Sequence, residues 1–177
     1  MEQTWTEEYE EKKSAGDAVD FVVLQGKHAL KVLMVKSETL DLVEKSGFDI
    51  VIRFTKEGLT HILTDLKREV DLSDLIIVLR IEEAKKIHLP FDKLNKTLLP
   101  LAKPHPGIDK WHYHKEKGMI QNISPTMLDP ITLKQAIKTG INTNLMSPDC
   151  SGIECRGKKC DFYCYFLDRC KKNKKAK

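Results

Sequence analysis

Cysteine is missing from the first 149 of the 177 residues, so neither a disulfide nor a thiolate metal site can organise that part of the chain. Long apolar runs are missing as well. No stretch reaches the roughly 20 apolar residues that cross a bilayer. The N-terminus, Met1-Glu-Gln-Thr-Trp-Thr-Glu-Glu8, has no signal-like apolar segment. These absences lead us to expect a soluble, cytoplasmic protein without a membrane partner. Spaced glycines are missing too: Gln25-Gly26-Lys27 is a lone glycine, which excludes a P-loop or a dinucleotide fingerprint. There is no His-Glu-x-x-His helix and no Gly-x-Ser-x-Gly elbow, so the marks of zinc proteases and serine hydrolases are absent.

What is present is concentrated at the other end. All five cysteines, Cys150, Cys155, Cys160, Cys164 and Cys170, lie within one short segment. Four thiolates at such intervals can converge on a tetrahedral Zn²⁺, which supplies folding energy that a short tail cannot obtain by burying apolar surface. Cys155, Cys160 and Cys164 are the expected ligands, with Cys150 as the fourth and Cys170 as its substitute. Three alternatives stay open: an iron–sulfur cluster, which also takes four cysteines; disulfides, which would leave one thiol over from an odd count; and unligated thiols.

The stretch Cys155-Arg-Gly-Lys-Lys-Cys160-Asp-Phe-Tyr-Cys164 resembles the second half of a CCCH-type zinc finger over about ten residues. Glycine and basic residues stand between the second and third ligands, and an aromatic precedes the fourth. It departs from that pattern in having Cys164 where the family has histidine, and in a short gap between Cys150 and Cys155.

Charge follows the cysteines. Residues 149–177 hold nine Lys or Arg against four acids, a balance of +5, whereas the whole chain carries +4. Basic residues interleaved with aromatics can track phosphates and stack unpaired bases. The expected partner is therefore RNA or single-stranded nucleic acid, with Arg156, Lys158 and Lys159 on phosphates and Phe162 and Tyr163 on bases. A protein-interaction adaptor with a structural metal tail, or a homo-oligomer, is the other class of partner reading.

For the remainder, the pattern predicts an acidic segment (1–17) with a helix over Thr4–Lys13, an α/β core (18–100), a proline-rich connection with a hairpin and one helix (101–148), and the Cys-rich basic module (149–177). Within the core, strands are expected at Val19–Leu24, Leu30–Val35, Phe48–Phe54 and Leu75–Leu79. Helices are expected after Ser37 and over Leu59–Val70, where the apolar residues fall at helical offsets. That order predicts a three-layer α/β fold around a mainly parallel sheet. A hairpin is expected around Lys115–Gly118, and a helix from Asp129-Pro130 to Gly140.

Two catalytic patterns are candidates. A metal-dependent nuclease of the restriction-endonuclease-like fold needs an acid on one strand and Asp/Glu-x-Lys on the next. Asp20, Lys36 and Glu38 approximate this arrangement, with Met34 where an acid is required; Asp49 with Asp65 and Lys67 is a weaker match. Separately, His112 and His114 flank Tyr113 and share one face of a strand, the His-hydrophobe-His arrangement that nicking enzymes use for a metal, with His105 as a possible third ligand. Arg53 and Arg80, at expected carboxyl ends of strands, are candidate contacts for a phosphate or carboxylate.

Overall fold

The structure, a computed structural model, describes residues 4–90, 105–108 and 110–141. The Cys-rich module lies outside these residues. Four helices and six strands follow in the order α1 (Trp5–Ser14), β1 (Ala18–Gln25), β2 (His28–Lys36), α2 (Leu42–Ser46), β3 (Ile50–Phe54), β4 (Thr60–Thr64), α3 (Ser73–Lys86), β5 (Trp111–His114), β6 (Met119–Asn122) and α4 (Pro130–Ile141). The strands form one sheet in the order β1-β2-β3-β4-β6-β5.

The sheet is mixed and mostly antiparallel, which corrects the expectation of a mainly parallel one. Only β2 and β3 run parallel. Two misread segments account for the difference. Residues 60–64 form a strand in which Thr60, Ile62 and Thr64 are buried and His61 and Leu63 are partly exposed. This is the period-2 alternation of a half-buried strand. It follows β3 through a tight turn in which Thr55 N donates to Leu59 O and Gly58, at φ +79°, takes the left-handed conformation. Conversely, the run Leu75–Leu79 lies inside α3, which is buried on most of its circumference. A helix enclosed that way loses its polar stripe, and over five residues it reads like a core strand.

Helix α1 forms where the acidic segment was expected to be helical. Thr4 Oγ1 accepts from Glu7 N and the Glu7 carboxylate accepts from Thr4 N, a reciprocal capping box. Ser37 does not cap α2; its hydroxyl accepts from Thr39 N in a local turn, and the residue preceding α2 is Asp41.

Apolar residues fall into two layers. On one face, Val32, Met34, Ile50, Ile52, Ile62, Ile120, Trp111 and Tyr113 pack beneath α3 and α4. On the other, Ala18, Leu33, Val35 and Val51 pack with Leu42 and with Trp5 and Tyr9 of α1, and this cluster includes no residue of β4, β5 or β6. The strands β5 and β6 and helix α4, drawn from the expected connection, thus share the sheet and main core of residues 18–90. Gly140 is the second-last described residue of α4. A Cβ there would stand 2.6 Å from Leu75 Cα, so the residue allows α3 and α4 to approach.

Candidate functional site

Among the described residues β2 and β3 are the one hydrogen-bonded parallel pair, and the crossover through α2 lifts the chain off the ends of these adjacent strands. At the carboxyl ends of β2 and β3, Lys36 to Thr39 and Phe54 to Lys56 face Glu8 and Lys12 of α1 across a cleft of 440 Å³. Its charges are largely committed. Lys12 Nζ donates to Lys36 O at 2.7 Å and lies 3.6 Å from Glu8, while Lys36 Nζ meets Asp17 at 2.7 Å. That last hydrogen bond holds the Asp17 carboxyl below its usual range. Glu38 Oε1 accepts from Lys56 N at 2.6 Å.

The nuclease candidates do not converge. Asp20 is paired with Leu33 on the face covered by α1, whereas Lys36 continues the alternation of Val32 and Met34 on the opposite face. Asp20 instead accepts from Tyr9 Oη at 2.7 Å and meets Lys13 Nζ at 3.2 Å. These bonds, Tyr9 first, lower its pKa. The other acidic match is a folding latch: Asp49 accepts from Lys31 N and Arg68 Nε, and Asp65 caps the short 3₁₀ turn Leu66–Arg68.

The two arginines are also internal. Arg80 is fully buried in α3, where it donates to Trp111 O at 3.0 Å; burial pushes its pKa down to about 10. Arg53 is 4% exposed and donates through Nη1 to the carbonyls of Glu38 and Thr39, and through Nη2 to His61 Nδ1. Neither presents an open fork to an anion, so neither candidate anion contact is assembled at a strand end.

Arg53 leads to a polar row across the second face of the sheet. Register places Arg53 beside His61, His61 beside Gln121, and Gln121 beside His112, with Leu63, Met119 and His114 in the next row. His112 and His114 stack with ring centroids 6.5 Å apart. His112 Nε2 is buried without a hydrogen-bond partner among the described residues, and His114 Nε2 lies 3.2 Å from Gln121 Nε2. His61 is the member that sequence reasoning missed; its signal was the alternation Thr60-His-Ile-Leu-Thr64, masked by the helical offsets of its leucines. His105 is buried, with Nδ1 2.6 Å from Pro106 O. Among the described residues, no group of three His, Cys, Asp or Glu is placed to hold a metal ion.

No protein-family model matches the chain, and no curated protein or solved structure does. Among the described residues, no helix is long and apolar enough to cross a membrane.

Proposed function

We propose that the chain is a zinc-binding protein that contacts RNA or single-stranded nucleic acid through residues 149–177. The observation that carries this reading is the confinement of all five cysteines to a segment with a charge balance of +5 and interleaved aromatics. Cys155, Cys160 and Cys164, with Cys150 or Cys170, hold the ion. The ion orders the loop that presents Arg156, Lys158 and Lys159 to phosphates and Phe162 and Tyr163 to bases. The separation of Asp20 from Lys36 leaves the nuclease reading without an assembled carboxylate–lysine centre.

Elemental analysis of the full chain, purified without added metal, is expected to find one zinc per chain, lost in Cys160→Ser. Iron with sulfide, or pairwise-oxidised cysteines, would overturn the metal assignment. Each phosphate contact on a single strand contributes roughly −0.7 to the slope of log affinity against log salt. Lys158→Ala with Lys159→Ala should therefore flatten the slope for an RNA oligomer by about 1.4, twice that contribution. An unchanged slope, or zinc without any nucleic-acid affinity, would favour the adaptor and reject this reading.

A further inference from the structure

We infer that His112 and His114 form a second metal site, for a divalent first-row transition ion, built on the edge strand β5 and independent of the cysteine tail. Same-face residues on a strand stand roughly 7 Å apart. The two imidazoles project side by side, their planes 30° apart and their centroids 6.5 Å apart, so side-chain torsions alone bring one nitrogen of each to a common ion. Neutral imidazole nitrogen is a preferred donor for zinc, nickel and copper.

Three features beyond the spacing support the site. His112 Nε2 is buried yet has no hydrogen-bond partner among the described residues, and such a group normally finds one. Coordination would satisfy it. The cross-strand neighbours on this face are Gln121 opposite His112 and Met119 opposite His114, neither of which repels a cation. Gln121 must release His114 Nε2 for that nitrogen to bind, which exchanges one hydrogen bond for a coordinate bond. Finally, the scaffold is fixed from the far side of the sheet. Trp111 and Tyr113 are buried in the core, Trp111 Nε1 donates to Glu83, and Arg80 holds the Trp111 carbonyl. Ligands on so constrained a strand are positioned before the ion arrives. Two protein ligands leave coordination positions for water or an anionic oxygen.

Ni²⁺ is the probe. Added to the zinc-loaded full chain, it should broaden the amide resonances of β5 and β6 by its paramagnetism. His112→Asn with His114→Asn should weaken that effect about tenfold or more, as loss of metal-site groups does. The fold should be retained, judged from the unaffected remainder of the spectrum. His28→Asn, at the exposed first residue of β2, should change nothing. Broadening confined to residues 149–177, β5 broadening that persists in the double variant, or an equal loss in the His28 control would overturn the proposal. Because the readout is resolved by residue, failure of the tail to hold zinc would leave the β5 result intact.

Discussion

Arg53 and His61 show how one buried contact sets a protonation state. Guanidinium only donates, so His61 Nδ1 must be bare to accept from Arg53 Nη2, and the proton of the neutral ring sits on Nε2. Burial first, and the neighbouring Arg53 charge second, hold the imidazole below its ordinary value; Glu38 acts in the opposite direction. The unfolded chain therefore takes up this proton at a higher pH than the folded one. The contribution is complete above about pH 6.5 and is lost as pH falls below it, until the folded state is protonated as well. His61→Gln keeps an acceptor for Arg53 but cannot titrate. Urea midpoints at pH 7 and pH 5 should lie closer together in that variant than in the parent, and an unchanged gap would reject the assignment. Gly140 offers a test of pure geometry. With Leu75 Cα 2.6 Å from the position of a new Cβ, Gly140→Ala forces α3 and α4 apart. Helix propensity favours alanine by roughly 1 kcal/mol, but overpacking against backbone should win, with a net loss of about 2 kcal/mol in chemical denaturation.

Elements were legible where local chemistry and periodicity agreed. The Thr4–Lys13 helix, the strands Val19–Leu24 and Leu30–Val35, the Lys115–Gly118 turn and the Asp129-Pro130 helix start each carry their own signal, and each forms close to where it was expected. Agreement failed at β4 and α3. Leu59, Ile62, Leu63, Leu66 and Val70 fall at helical offsets, yet Leu66 is exposed and Thr60 and Thr64 are the buried partners of Ile62. A buried threonine carries no hydrophobic signal, so the strand was hidden. Exchanging those two segments alone turns an antiparallel hairpin into an apparent crossover, and a mixed sheet into a parallel one. For the site, the histidine pair was legible from its spacing, whereas Arg53 and Arg80 were not, because their burial depends on partners distant in sequence. Glu83 was equally invisible. It is fully buried at the end of α3 and accepts from Trp111 Nε1, Thr126 Oγ1 and Met127 N, with Lys110 Nζ at 3.3 Å. One carboxylate thus ties α3 to β5 and to the loop that enters α4. Glu83→Ala strands these donors and should cost about 3 kcal/mol. Glu83→Gln, which keeps two acceptor lone pairs, should cost less, and equal urea midpoints for the two variants would show that the charge is what matters.

Across the whole molecule, stability is distributed unevenly between the two layers. β2 and β3 are the strands packed most fully on both faces, with Leu33, Val35 and Val51 under α1 and α2 and Val32, Met34, Ile50 and Ile52 under α3 and α4. Helix α1 buries no residue fully; it is held by Trp5 and Tyr9 against the smaller cluster and by Lys12 on the Lys36 carbonyl. Few buried contacts and exposed hydrogen bonds define a segment that opens locally, while doubly covered strands open only with the whole fold. Since Glu8 and Lys12 form one wall of the cleft at the ends of β2 and β3, detachment of α1 also opens that cleft. Native-state hydrogen exchange should find amides of β2 and β3 exchanging only through global unfolding. Those of α1 should exchange as a group at lower free energy, with a smaller dependence on denaturant. Trp5→Ala should then speed exchange in α1 while leaving β3 nearly unchanged. If α1 instead exchanged in step with β3, the helix would belong to the cooperative core, and the cleft would be a fixed feature of the fold.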